Sequence, residues 1–62
     1  MLTNREIEVL SLICEGYKTP ELAKMLFVTT STIKAHTASI FRKLNAKTRA
    51  QAVRIATLKG IV

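Results

Sequence analysis

Apolar positions recur at helical spacing in four segments of this 62-residue chain, and residues typical of helix ends bound each segment. The pattern predicts an all-α fold, a four-helix bundle with helices at about 4–15, 20–26, 30–44 and 49–59. No segment shows the alternation of a strand, and no apolar run approaches the roughly 18 residues of a membrane span. The short connection between the second and third helices predicts a steep crossing, which is the helix-turn-helix arrangement.

The predicted helix ends depend on local capping patterns. Thr3 and Glu6 form a capping box before the first helix, and Gly16 ends that helix in a left-handed conformation. Thr19 as N-cap, with Pro20 at the first helical position, starts the second helix. The remaining end signals are Thr29 as the third N-cap, Asn45 as a left-handed terminator, and Thr48 with Gln51 as a second capping box.

The third predicted helix has an apolar side and a side of small and basic residues. Its apolar stripe consists of Ile33, Thr37, Ile40 and Leu44. Small side chains beside a lysine and an arginine let a helix approach a negatively charged surface, such as the floor of a DNA major groove. An ordinary solvated face is the alternative interpretation. The residues opposite the stripe are Ser31, Lys34, Ala35, Ala38, Ser39 and Arg42.

Charge is divided unevenly along the chain, whose net charge is +6. Residues 1–21 contain all four acidic residues and two basic ones, whereas residues 22–62 contain eight basic residues and no acidic one. This segregation indicates a polyanionic partner. A membrane surface is a poorer candidate than DNA, because the third helix lacks large apolar anchors. RNA is also a poorer candidate, because the three aromatic residues are dispersed.

The length and composition indicate one small domain without enzymatic or metal-binding chemistry. The chain has no aspartate and a single histidine, so neither a carboxylate pair nor a nucleophile with its base is evident. Cys14 and His36 are too few for a metal site, and no cofactor is expected. Cys14 lies among apolar residues at helical spacing, which favours a core position. The expected location is cytoplasmic, because no signal peptide or membrane span is recognisable.

The fourth predicted helix carries apolar residues on a mostly polar face. Ile55 and Leu58 lie there beside Gln51 and Arg54. Such a patch predicts a modest dimer interface, although scattered exposed aliphatic residues are also common in monomers.

Motifs in all four helices carry a family resemblance. They are Leu2-Thr3 with Arg5-Glu6 and Val9-Leu10, Gly16, Glu21-Leu22-Ala23 and Leu26, Val28-Thr29 with Thr32-Ile33-Lys34 and His36, Lys43-Leu44, and Arg49 with Gln51-Ala52-Val53. On these residues the chain resembles the LuxR-type, or GerE-type, helix-turn-helix domain of bacterial transcription regulators. The resemblance implies a DNA-binding domain over residues 1–62, usually the C-terminal part of a longer regulator, whose third helix enters the major groove and whose fourth helix pairs two copies.

The resemblance also implies roles for single residues. It assigns Lys34, Ala35 and Ala38 to base edges, which agrees with the ability of lysine to donate to guanine and of alanine to contact the thymine methyl group. Four positions depart from the family pattern. Pro20 replaces a residue that is often basic, Asn45 replaces the usual glycine, Ala46 replaces a larger aliphatic residue, and Ala38 is shorter than the polar residue of some relatives.

Phosphate contacts are expected around these base contacts. His36 has an alternative role as a packed residue bonded to a backbone carbonyl. Lys43 and Lys47 are candidate phosphate contacts because they lie near the end of the third helix. Contacts to the DNA backbone there would position the protein without specifying sequence. The resemblance itself implies phosphate contacts by Thr32 and His36, with Ser31 and Ser39 at the margin.

The predicted function is sequence-specific binding of double-stranded DNA by a homodimer that regulates transcription. RNA polymerase is a further candidate partner, and no membrane partner is expected. The alternative is a protein-interaction module that forms mixed dimers with another regulator through the fourth helix and inhibits it. Such a module would bind its protein partner tightly and DNA weakly.

Overall fold

The computed structural model describes residues 1–61, which contain four helices and no strand. The helices are α1 (Asn4–Cys14), α2 (Thr19–Leu26), α3 (Thr30–Leu44) and α4 (Arg49–Leu58). The predicted all-α fold with four helices is confirmed, and the predicted bounds agree to within one residue.

The central element is α3, which packs against each of the other three helices. Ile33 and Ile40 of its apolar stripe are fully buried. Thr37 lies between them, and its hydroxyl donates to the carbonyl oxygen of Ile33 at 2.8 Å, so the polar group in the stripe is satisfied. The other members of the core are Val9, Leu10, Ile13, Leu22, Ala23 and Ala56.

The caps of α1 and α3 confirm the local predictions. Thr3 Oγ1 accepts from the backbone N–H of Glu6 at 3.1 Å, and Glu6 Oε1 accepts from the backbone N–H of Thr3 at 2.8 Å. Thr29 Oγ1 accepts from the backbone N–H of Thr32 at 3.2 Å. Asn45 ends α3 in the left-handed conformation, with a φ of 56°.

The α2 cap differs from the prediction by one residue, and the α4 cap differs in one hydrogen bond. The N-cap of α2 is Lys18, and Thr19 is the first helical residue, because the Glu21 carboxylate accepts from the backbone N–H of Lys18 at 2.8 Å. At α4 the N-cap is Thr48 as predicted. The side chain of Gln51, however, accepts from the backbone N–H of Lys47 at 2.7 Å, where a capping box would bond to the N-cap residue.

Cys14 is half-buried and packs against the core cluster, as its helical spacing predicts. Burial raises the pKa of its thiol, and the charge of Arg49 opposes that shift. Within residues 1–61 no helix is long and apolar enough to cross a membrane, and no three His, Cys, Asp or Glu side chains are grouped to bind a metal ion.

Candidate nucleic-acid interface

The turn between α2 and α3 is tight and contains no glycine. Phe27 adopts the left-handed conformation there, with a φ of 57°. Its backbone N–H donates to the carbonyl oxygen of Lys24 at 3.3 Å, and the next N–H, of Val28, donates to that of Ala23 at 3.0 Å. These bonds close the end of α2, so that Thr29 caps α3 three residues after Leu26. The two helices therefore form the predicted helix-turn-helix.

One side of α3 is exposed and basic, and most of its side chains are small. We call it the outer face. Lys34 stands at its centre and makes no side-chain hydrogen bond or ion pair with any residue in 1–61. The helix contains no acidic residue, and its N-terminus adds the partial positive charge of the helix dipole. The outer face is formed by the exposed residues Ser31, Lys34, Ala35, Ala38 and Arg42.

Thr32 and His36 border the outer face and are both half-buried. The Thr32 hydroxyl oxygen lies 3.1 Å from Thr29 Oγ1 as part of the cap, and a hydroxyl retains further hydrogen-bonding capacity. His36 forms no hydrogen bond with another residue in 1–61, so the alternative of a packed histidine bonded to a backbone carbonyl is not observed.

Two residues predicted as phosphate contacts are instead engaged by Glu6 of α1. Ser39 Oγ donates to Glu6 Oε2 at 2.6 Å, and Lys43 Nζ donates to Glu6 Oε1 at 2.8 Å. The sequence predicts Ser39 and Lys43 as phosphate contacts, and in this structure the polar atoms of both bond to Glu6. Glu6 is 4% exposed, and its carboxylate also completes the Thr3 capping box.

The surroundings of Glu6 hold its carboxylate in the charged form. The Lys43 ammonium, the Ser39 hydroxyl and the Thr3 backbone N–H lower its pKa from 4.5 to about 2, against the opposing effect of burial. Sequence reasoning recognised Glu6 as a cap and missed its contact with α3. The available signal was helical phase, since Glu6 precedes Val9, Leu10 and Ile13 by three, four and seven residues and so lies on the inward side of α1.

Arg49 is a second residue whose tertiary role the sequence analysis missed. Its Nη2 donates to the carbonyl oxygens of Ile13, at 3.3 Å, and of Tyr17. Both carbonyls lie at or just after the C-terminal end of α1, where helix carbonyls lack internal partners. Arg49 therefore joins the start of α4 to the end of α1.

The remaining predicted sites lie on exposed surface. The backbone of Lys47 belongs to the α4 cap, and its exposed ammonium has no partner among residues 1–61. On α4, Gln51 and Arg54 are exposed, Ile55 is half-buried and Leu58 is 75% exposed. The predicted dimer face is thus accessible, although the Gln51 side chain is partly occupied by its bond to Lys47.

Comparison with known proteins assigns this architecture to a family. The family model for bacterial regulatory proteins of the luxR family matches residues 1–56. The chain is 40% identical to the oxygen regulatory protein NreC of Staphylococcus carnosus over 62 residues, all of this chain and 29% of that protein. It is 45% identical to the transcriptional regulatory protein YxjL of Bacillus subtilis over 60 residues, 97% of this chain and 28% of that protein.

Solved structures give the same result. The response regulator ChrA of a heme-sensing two-component system superposes with a TM-score of 0.96 at 32% identity, over all of this chain and 31% of that one. VqmA of Vibrio cholerae, a LuxR-type receptor, superposes with a TM-score of 0.94 at 30% identity, over 98% of this chain and 28% of that one. The chain spans less than a third of the length of each of these proteins. The chain belongs to the luxR family of bacterial regulatory proteins and is a helix-turn-helix DNA-binding domain of the kind found in transcription regulators.

Proposed function

We propose that this domain binds double-stranded DNA sequence-specifically by inserting α3 into the major groove, and that it regulates transcription in this way. The observation that carries the proposal is the outer face of α3, which is exposed, free of acidic residues and built of small side chains around Lys34. A major groove about 12 Å wide admits an α-helix, and small residues allow the backbone to come close. A similar structure, that of VqmA, is described as a complex with ligand and DNA.

Three residues of the outer face are proposed to contact bases. Lys34 donates to guanine O6 or N7, because its ammonium is central and has no partner among residues 1–61. Ala35 and Ala38 place methyl groups against thymine methyl groups. Since alanine offers no hydrogen bond, most of the direct base discrimination falls on Lys34.

Phosphate contacts are proposed on both sides of these bases. The N-terminus of α3 attracts an anion through its dipole and its free N–H groups. Lys47 adds a contact near the other end of the helix that positions the domain without selecting a sequence. Ser39 and Lys43 are left out because Glu6 holds both. The proposed phosphate contacts are Ser31, Thr32, His36 and Lys47.

Binding to duplex DNA at several salt concentrations tests this proposal, with a random pool and a site selected from it. Lys34→Ala should cost about 1–3 kcal/mol on the selected site and little on random DNA. Lys47→Ala should weaken binding to both alike and reduce the salt slope by about 0.9. If the two substitutions lowered affinity equally for every sequence, the base-reading role of Lys34 would be wrong.

Lys59→Ala is a matched control that removes one positive charge elsewhere. Lys59 follows α4 and lines a groove with Leu2, Lys43 and Leu44. Leu44 is ten residues, or about 15 Å of helix, beyond Lys34. The control should therefore leave the preference for the selected site unchanged.

We further propose that two copies pair through α4, which would place two α3 helices in successive major grooves about one helical turn apart. The exposed Leu58 and its neighbour Ile55 supply the apolar part of this face. Leu58→Lys should shift the protein from dimer to monomer in sedimentation and weaken binding to a two-half-site duplex. Met25→Lys is the matched control, because Met25 is also an exposed apolar residue but lies on α2.

The alternative proposal uses the same α4 face for mixed dimers that inhibit another regulator. It predicts no salt-dependent DNA binding by this chain alone and a stable complex with the other regulator. RNA polymerase is proposed as a partner of a whole regulator that contains this domain, and co-sedimentation on promoter DNA would test that step.

A further inference from the structure

Glu6 is a buried anion that holds one hydroxyl and one ammonium from α3. Its two oxygens accept from Ser39 at 2.6 Å and from Lys43 at 2.8 Å. These two groups are four residues apart and therefore lie on one side of α3, one turn from each other. A hydroxyl and an ammonium on adjacent turns are the same donors that would hold a phosphate oxygen at the edge of a DNA groove. In this structure the carboxylate occupies both donors.

The position of this cluster makes the competition direct. Lys43 follows the exposed Arg42 of the outer face in sequence, and its side chain is 32% exposed and lines a groove with Leu44 and Lys59. A rotamer that breaks the bond to Glu6 would expose this ammonium further. The Glu6 side chain cannot follow it, because Oε1 is also bonded to the Thr3 backbone N–H at 2.8 Å.

We propose that Glu6 is a positioning residue for DNA recognition, which withholds Lys43 and Ser39 from the DNA backbone and thereby limits sequence-independent binding. This inference rests on the proposed function of α3. Contacts to phosphate raise affinity for every sequence equally, whereas discrimination depends on contacts to bases. Neutralising one cation inside the protein lowers the affinity that phosphate contacts give to every sequence. It leaves the base contacts unchanged, so the ratio of specific to non-specific binding is kept high.

The test compares three variants. For each one, the affinity for random-sequence duplex DNA is measured at several salt concentrations. Glu6→Gln frees the ammonium, and glutamine retains the carbonyl oxygen that a capping box needs. Its slope of log affinity against log salt should be steeper by about 0.9, the value for one added phosphate contact. Between 50 and 200 mM salt its affinity should therefore fall by about three times more than that of the unsubstituted protein.

The other two variants separate the release of Lys43 from a loss of structure. Lys43→Gln alone should leave the slope unchanged, because the native lysine does not contact a phosphate. Glu6→Gln combined with Lys43→Gln should return the slope to the native value. A merely structural role of Glu6 would lower affinity through unfolding, which far-UV circular dichroism reports, and would not make the slope steeper.

The opposite results would overturn the inference. If Lys43→Gln and the double variant both flatten the slope by about 0.9, then Lys43 already contacts DNA in the native protein. If Glu6→Gln folds and its slope is unchanged, the released lysine does not reach a phosphate. Should the Glu6 variants fail to fold, Lys43→Gln decides, since it keeps the Thr3 capping box. Absence of salt-dependent binding by the unsubstituted protein would instead contradict the proposed function itself.

Discussion

Phe27 offers a substitution that should stabilise the protein. It is held in the left-handed conformation at φ 57°, and its side chain is 94% exposed. A residue with a Cβ in this conformation costs about 1–2 kcal/mol. Glycine removes that cost but adds about 0.5–1 kcal/mol of chain entropy in the unfolded state. Because the exposed ring contributes almost no buried area, Phe27→Gly should raise the free energy of unfolding by about 0.5–1 kcal/mol.

Urea denaturation followed by circular dichroism measures this change, and a thermal melt provides a second readout. For a domain of this size the expected gain corresponds to a rise in Tm of about 2–8 °C. Phe27→Ala is the control, because alanine removes the ring and keeps the Cβ. It should change stability by less than about 0.5 kcal/mol, as expected for an exposed site.

Two results would contradict the expected strain at Phe27. A destabilised Phe27→Gly variant would mean that the left-handed conformation carries no strain that glycine relieves. A loss of more than about 1 kcal/mol in Phe27→Ala would mean that the ring contacts the folded protein despite its exposure.

Three further predictions follow from the core and the two long-range polar contacts. The folded state lowers the pKa of Glu6 from 4.5 to about 2, chiefly through Lys43. The charged carboxylate therefore contributes its full stabilisation only above pH 4.5, and the free energy of unfolding should fall progressively as pH drops from about 4.5 toward 2. Lys43→Met should narrow the pH range over which stability is lost, whereas an unchanged pH profile would contradict the pairing of Glu6 with Lys43. Arg49→Met should lower stability in urea by about 1–2 kcal/mol, because two carbonyls at the end of α1 lose a charged donor, and Arg49→Lys should restore it only in part. Ile40→Ala should cost about 2–5 kcal/mol in the same assay, because the side chain is fully buried, and a cost below that of Ile40→Val would contradict the packing.

The features predicted correctly from the sequence are those that extend over a few residues. The Thr3 and Thr29 caps join groups three residues apart, and left-handed Asn45 is a property of one residue. The apolar stripe of α3 follows from helical periodicity, which places Ile33 and Ile40 on one side. These interactions form within one turn, so local composition specifies them. The α2 cap lies one residue before the predicted position, at Lys18, and Gln51 bonds to Lys47 although Thr48 is the α4 cap, because neighbouring backbone donors compete for one side chain.

Helical periodicity also predicts that the outer face is exposed. Once the apolar stripe of α3 faces the core, Lys34 and Ala38 must face solvent. The family resemblance then connects these positions to DNA, which periodicity alone does not. The left-handed turn at Phe27 was not foreseen, because phenylalanine has no intrinsic preference for that conformation and adopts it where the packing of α2 against α3 requires it.

The pattern of residues along the chain established four helices, their ends and which face of α3 meets solvent, because each depends on neighbours within about one turn. Folding in three dimensions established which cations are free. Glu6 meets Lys43 across 37 residues, and Arg49 meets Tyr17 across 32. A count of basic residues treats Lys34, Lys43 and Arg49 alike. In the fold, Lys43 pairs with Glu6 and Arg49 donates to two backbone carbonyls, whereas Lys34 has no side-chain partner among residues 1–61. Hydrogen bonds between distant segments depend on the packing of whole helices, and no local rule specifies that packing.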